Sequence, residues 1–76
     1  MKIKIVFHGS LKQYNNNIAE IEKEIPKEIT VDQLIAKTEI PTDEIAFVAV
    51  NGSRAPGSLE LQEGDEVKLF QMVGGG

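Results

Sequence analysis

An alternation of apolar and polar side chains opens the sequence and constrains the fold more than any other feature. A period of two is typical of a β-strand with one face against a hydrophobic core. In residues 2–8 (KIKIVFH), the side chains expected to face the core are Ile3, Ile5 and Phe7. The side chains expected on the other face are Lys2, Lys4, Val6 and His8.

The same period recurs in residues 44–52 (EIAFVAVNG) and 66–72 (EVKLFQM), and an Asn-Gly turn signal closes the first of these. The predicted core-facing side chains of these two strands are Ala46, Val48, Val50, Val67 and Leu69. The opposite face is predicted to carry Phe47, Ala49, Lys68, Phe70 and Met72. The intervening segment SRAPGSLELQEGDEV is predicted to be a loop that Leu59 and Leu61 pin to the core, and LKQYNNN a short turn or loop.

Residues 19–26 fit two structures. Ile18, Ile21 and Ile25 fall at helical spacing, yet the last two also share one face of a strand, and Pro26 would end either element. We favour a strand paired with the first one, because an isolated strand leaves its backbone groups without partners. The solvent-facing side chains of that strand are then Glu20, Glu22 and Glu24.

One helix is predicted over residues 31–38. Thr30 and Gln33 have capping-box spacing, Asp32 suits the first turn, and Pro41 follows the end. The apolar stripe of this segment consists of Val31, Leu34, Ile35 and Ile40. The order β-β-α-β-β predicts an α+β fold, with a mixed sheet of four to five strands and one main helix packed on one face.

Composition excludes several classes of function. The 76 residues form one small domain with no cysteine and a single histidine, which argues against disulfides, thiolate metal sites and any metal site built by the protein. The net charge of −4 disfavours a nucleic-acid partner, and no apolar run is long enough to span a membrane. We expect a soluble, cytoplasmic protein. No glycine-rich phosphate loop and no nucleophile–base pattern is present, so the chain is not expected to bind ATP or to be an enzyme by itself.

The chain ends on three glycines after an apolar strand. We predict a domain over residues 1–72 and a flexible glycine tail over residues 73–76. A terminal glycine has no Cβ, so such a tail can enter a narrow channel of another protein, where its carboxylate can attack the α-phosphate of bound ATP. The resulting acyl-adenylate can accept sulfur or an amine. A frayed terminus without function is the simpler alternative.

An apolar patch beside this tail is the second candidate feature. Apolar patches on small domains often mark binding surfaces for other proteins. The outward side chains of the predicted strands would bring together Val6, His8, Phe47, Ala49, Phe70 and Met72. The alternative is that these side chains are scattered singly or covered by loops.

The segments IKIVFHGSLKQY, VAVNG and LELQEGDEVKLF, with the terminal Gly-Gly, resemble the ubiquitin-like β-grasp sulfur carriers over the whole chain. The most similar patterns are those of the small subunit of molybdopterin synthase and the thiamine-pathway sulfur carrier. The resemblance implies that an E1-like enzyme adenylates the terminal glycine with its own ATP and magnesium. It also implies a sulfur donor, such as a cysteine desulfurase or rhodanese, and a receiving enzyme, either the large subunit of molybdopterin synthase or a thiazole synthase.

The resemblance also assigns roles to residues. Gly75 and Gly76 match the paired glycines, with the latter the modified residue, and Phe70 matches the aromatic residue that contacts partners. The remaining candidate partner-binding residues are Phe47, His8, Met72, Val73 and Gly74. Two differences from the family pattern leave the pathway open. Gln71 and Met72 stand where molybdopterin-type carriers often have prolines, and Gly74 stands where alanine or threonine is more frequent. A protein modifier that forms isopeptide bonds and a non-covalent interaction module remain alternatives.

Overall fold

The computed structural model of the chain describes residues 1–73. Its five strands are β1 (Lys2–Phe7), β2 (Glu20–Glu24), β3 (Ile45–Val50), β4 (Ser53–Ala55) and β5 (Glu66–Gln71). One α-helix, α1 (Val31–Lys37), and two 3-10 helices, Gly9–Asn15 and Thr42–Glu44, complete the described part of the chain. The strands form one mixed sheet in the order β2-β1-β5-β3-β4, which confirms the predicted α+β fold.

The last strand lies in the middle of the sheet. It runs parallel to β1, with Lys4 opposite Glu66 and Phe7 opposite Leu69, and antiparallel to β3. The C-terminal strand therefore has a hydrogen-bonded neighbour on each side, and the chain leaves the sheet from its centre rather than from an edge.

The ambiguous segment is a strand, as we favoured. β2 pairs antiparallel with β1, and Ile5 lies opposite Ile21. All five residues of β2 are exposed because this strand forms one edge of the sheet. Ile25, immediately beyond β2, is buried in the core.

The predicted capping box of α1 is present. The Gln33 backbone N–H donates to Thr30 Oγ1 at 3.2 Å, and the Thr30 N–H donates to Gln33 Oε1 at 2.9 Å. The helix ends at Lys37, one residue before the predicted end, because Thr38 adopts an extended conformation as the C-cap. The predicted apolar stripe of α1 is buried against the sheet.

The core lies between one face of the sheet and α1, and the alternation in β1 and β5 is confirmed. Leu11 of the first 3-10 helix joins the core, so the segment predicted as a turn or loop is in part a short helix. The buried core side chains are Ile3, Ile5, Phe7, Leu11, Ile25, Ile29, Val31, Leu34, Ile35, Ile40, Val48, Val50, Leu61, Val67 and Leu69.

Two predictions about the long loop are wrong. Ser53–Ala55 is not loop but β4, which pairs with Val48–Val50 through an Asn-Gly hairpin. Asn51 and Gly52 both have positive φ, at 52° and 86°, as a two-residue hairpin turn requires. Leu61 is buried as predicted, but Leu59 is 38% exposed and does not belong to the core.

A bulge in β3 changes the predicted side-chain alternation at one residue. Ile45 pairs with Gln71 and Phe47 with Phe70, so Ala46 is an extra residue between two paired positions. An extra residue shifts the alternation by one. Ile45, instead of Ala46, consequently packs against the core.

The β3–β4 turn is fastened to the start of β5 by two polar side chains. Asn51 Nδ2 donates to Asp65 Oδ1 at 2.8 Å, and Asn51 Oδ1 accepts from the Glu66 N–H at 2.9 Å. Asp65 Oδ2 accepts from the Gln62 N–H at 2.7 Å. The VNG and GDEV segments of the sequence therefore form one hydrogen-bonded unit.

Two substitutions of Asn51 distinguish the stability that comes from its side-chain hydrogen bonds from the stability that comes from its backbone conformation. Asn51→Gly tolerates the positive φ but loses the side-chain hydrogen bonds. Asn51→Ala loses these hydrogen bonds and also disfavours the positive φ. We expect urea unfolding to show a loss of about 2 kcal/mol for the glycine variant and about 3 kcal/mol for the alanine variant. Equal losses would show that the backbone conformation at this position contributes nothing to stability.

Candidate functional site

Three aromatic rings form a row on the face of the sheet opposite α1. Phe47 and Phe70 lie directly opposite each other on β3 and β5, with ring centroids 4.5 Å apart and planes 15° apart. The His8 ring stacks on the other side of Phe70, at 4.3 Å and 6°. We call His8, Phe70 and Phe47 the aromatic row; the structure brings together these three predicted site residues.

The parallel pairing of β1 and β5 places the histidine in this row. Phe7 lies opposite Leu69, so the next residues along each chain, His8 and Phe70, fall side by side. The His8 backbone N–H donates to the Leu69 carbonyl at 3.0 Å. Within residues 1–73, His8 Nε2 has no hydrogen-bond partner, so stacking and packing hold the ring.

Arg54 extends the aromatic row and was missed from the sequence. Its guanidinium carbon lies 4.9 Å from the centroid of the Phe47 ring, within the range of a cation–π contact. Arg54 pairs with Ala49 across β3 and β4, which brings it diagonally beside Phe47 on the same face. Because residues 53–55 were predicted to be loop, Arg54 was not assigned to a face of the sheet.

Other members of the predicted patch differ in exposure. Met72 and Val73 are 55% and 77% exposed, and Val6 is half-buried. Ala49 is only 8% exposed because Lys68 and Arg54 flank it on the two neighbouring strands, so its place in an exposed patch is wrong. Gly74, Gly75 and Gly76 lie outside the described residues.

A network of charged side chains borders the aromatic row on the same face. Lys4 Nζ lies 3.4 Å from Glu20 Oε2 and 3.6 Å from Glu66 Oε2. The other carboxylate oxygen of Glu66, Oε1, lies 3.8 Å from Lys68 Nζ. The hydrogen bond to Glu20 is the main cause that raises the pKa of Lys4. Because these pairs are exposed, they add little stability, and their effect is a border of mixed charge beside an apolar strip.

The two 3-10 helices meet beside the end of β5. The Met72 backbone N–H donates to the Glu44 carbonyl at 2.9 Å, which continues the pairing of β5 by one residue. The Tyr14 hydroxyl donates to Glu44 Oε2 at 2.7 Å. This hydrogen bond is the main cause that raises the pKa of Tyr14, because it stabilises the protonated phenol.

Among residues 1–73, no group of three or more His, Asp or Glu side chains converges closely enough to hold a metal ion. Within the same residues, no helix is long and apolar enough to cross a membrane.

The model of the ThiS family matches residues 6–76. The chain belongs to the ThiS family. This match confirms the resemblance to ubiquitin-like β-grasp sulfur carriers and covers both the aromatic row and the terminal glycines. Among curated proteins, no sequence matches this ThiS-family chain.

Several solved structures are similar to this ThiS-family chain, and three of them illustrate the range. SAMP1 of Haloferax volcanii has a TM-score of 0.76 at 20% identity, covering 100% of both chains. The putative molybdopterin converting factor subunit 1 of Pyrococcus furiosus has a TM-score of 0.76 at 26% identity, covering 96% of this chain and 99% of its own. The complex of subunits 1 and 2 of the molybdopterin-converting factor of Helicobacter pylori contains a chain with a TM-score of 0.65 at 20% identity, covering 100% of both.

The Tyr14–Glu44 bond can be tested by titration, because the chain has one tyrosine and no tryptophan. We expect the tyrosinate absorbance to rise with a midpoint above the ordinary value of 10.0, and Glu44→Gln to lower that midpoint. The folded chain holds this proton more tightly than the unfolded chain. The stability it contributes is therefore present below the unfolded pKa and is lost as the pH rises through the folded one. An unchanged midpoint in Glu44→Gln would contradict the contact.

Proposed function

We propose that this chain is a sulfur carrier for molybdopterin synthesis, in which the Gly76 carboxylate is adenylated by an E1-like enzyme and converted to a thiocarboxylate. The observation that carries the proposal is the family match, which continues through residue 76 and so includes the terminal glycines. The molybdopterin assignment is supported by the 26% identity to the Pyrococcus furiosus protein over nearly the whole chain. Thiazole synthesis is the neighbouring alternative within the same chemistry.

The chemistry requires only a free terminal carboxylate from this chain. One carboxylate oxygen of Gly76 attacks the α-phosphate of ATP, which the partner holds with magnesium, and pyrophosphate leaves. The product is an acyl-adenylate. A cysteine desulfurase or a rhodanese is the class of donor that fits, and it carries the sulfur as a cysteine persulfide. The terminal persulfide sulfur attacks the carbonyl carbon, and AMP leaves with the bonding electrons of the C–O bond, so an acyl disulfide forms. A thiol reductant then attacks the donor's cysteine sulfur, and the thiocarboxylate leaves with the electrons of the S–S bond.

The aromatic row supplies the docking surface in this proposal. Phe70 of the row lies on β5, and Met72 and Val73, which follow this strand, are exposed. A partner that binds the row therefore lies beside the place where the tail leaves the domain. We propose that the activating enzyme and the large subunit of a synthase bind this face in turn. The related Helicobacter pylori protein, which forms a complex with its subunit 2, supports a partner of the second kind.

The carrier chemistry can be tested by the intact mass of the chain purified from its own cells under reducing, amine-free conditions. We expect a fraction heavier by the exchange of one oxygen for sulfur, mapped to Gly76. A variant that lacks Gly76 should unfold at the same urea concentration, because no core residue is removed, but should acquire no sulfur and accept no AMP.

Two results would contradict this proposal. Adenylation of the chain that lacks Gly76 would place the activated carboxylate elsewhere. Adducts that join Gly76 to lysines of other proteins, without any thiocarboxylate, would instead identify a protein modifier.

The docking surface can be tested with two variants matched for exposure. Phe47 is 37% exposed in the aromatic row, and Leu59 is 38% exposed away from it. We expect Phe47→Glu to weaken binding to the E1-like enzyme by about tenfold or more, because a charge replaces an exposed apolar ring of the row. Leu59→Glu should bind as the unaltered chain does, as measured by calorimetry. Equal effects of the two variants would show that the row is not the docking surface.

A further inference from the structure

The end of the central strand is held from both sides by the two 3-10 helices. On the β1 side, Gln71 Oε1 accepts a hydrogen bond from the Ser10 backbone N–H. On the β3 side, the Met72 N–H donates to the Glu44 carbonyl, and the Tyr14 hydroxyl joins the two helices through the Glu44 carboxylate. We call these five residues, Ser10, Tyr14, Glu44, Gln71 and Met72, the collar.

Gln71 satisfies a backbone group that the first 3-10 helix leaves free. The first N–H groups of any helix have no partner within that helix. His8 stands at the N-cap of this one and provides no side-chain cap. The carboxamide of Gln71 provides the missing acceptor from a position 61 residues away in the chain.

Gly9 shows that the local backbone is shaped to receive this carboxamide. A Cβ built on Gly9 would overlap the Oε1, Cδ and Nε2 atoms of Gln71. The residue also has a φ of +59°, which side chains with a Cβ rarely adopt. The backbone conformation therefore favours glycine, and a side chain at this position would displace the Gln71 carboxamide from its place beside Ser10.

We infer that Gln71 is a positioning residue for the C-terminal tail, an inference that rests on the proposed function. Its bond to Ser10 fixes the last residue of β5, so the collar is the anchorage that directly precedes Val73. Exposure changes at the same point, from a half-buried Gln71 to a Val73 that is 77% exposed. From Val73 to Gly76 the chain can reach at most about 14 Å.

A short reach has a kinetic consequence. When a partner is docked on the aromatic row, the effective concentration of the Gly76 carboxylate in its active site depends on the length and anchorage of the connecting chain. Loss of the Gln71 anchor would let the end of β5 fray and lengthen that chain. The docking surface would be unchanged, so the loss should affect kcat and leave KM for the carrier as it was.

The experiment compares Gln71→Met with Gln71→Glu in the full chain. Methionine has a similar length and no comparable acceptor, whereas glutamate keeps an acceptor for the Ser10 N–H. Amide hydrogen exchange by NMR measures the collar directly at Ser10 and Met72. Exchange of pyrophosphate into ATP, with the E1-like enzyme of the same cell, measures adenylation.

We expect Gln71→Met to speed amide exchange at Ser10 and Met72 and to lower kcat by about fivefold, the change that one neutral hydrogen bond supports. KM should not change, and Gln71→Glu should restore both the slow amide exchange and the full rate. The rescue by glutamate separates the role of the acceptor from a general effect of altering the side chain.

Three results would overturn the inference. Unchanged amide exchange in Gln71→Met would mean that the collar does not depend on this bond. Faster amide exchange with an unchanged kcat, or a change in KM alone, would mean that the collar does not position the tail. Absence of adenylation of the unaltered chain would overturn the proposed function and this inference together, a result distinct from the first two.

Discussion

The parallel ladder between β1 and β5 is the interaction on which the rest of the structure depends. It joins the first strand of the chain to the last, so its formation closes almost the whole chain into one loop. Parallel neighbours need a long connection, and here that connection contains β2, α1 and the β3–β4 hairpin. The same ladder sets His8 beside Phe70. Both the core and the candidate docking face are therefore consequences of one pairing.

Within β5, the alternation of side chains places the core and the proposed docking surface on opposite faces of the same strand. Val67 and Leu69 are buried against α1, whereas Lys68 and Phe70 belong to the outer face. A small domain has few residues to spare from its core. Placing the rings on the outer face, where they cover one another by stacking, gives the chain an apolar strip without removing a core residue.

Local patterns predict most of this fold, and long-range contacts account for what they miss. The period of two located β1, β3 and β5 with their faces, and the capping box located α1. The Asn-Gly dipeptide also predicts a hairpin, so β4 and the position of Arg54 could have been inferred from it. The Ala46 bulge could not, because it depends on how β3 and β5 meet. The contact between Gln71 and Ser10 likewise leaves no local signal, since a glutamine at the end of a strand has no preferred partner.

The VNG and GDEV segments and the residues proposed to carry the chemistry stand at opposite ends of β5. Asn51 and Asp65 fasten the β3–β4 turn to the start of the strand, so the VNG and GDEV segments are constrained by the fold. The collar holds the other end through Gln71 and Met72. A strand of six residues, about 20 Å long, is thus anchored at both ends and has neighbours on both sides. Such a strand fixes the position of Gln71 and Met72, which directly precede Val73, relative to the rest of the domain.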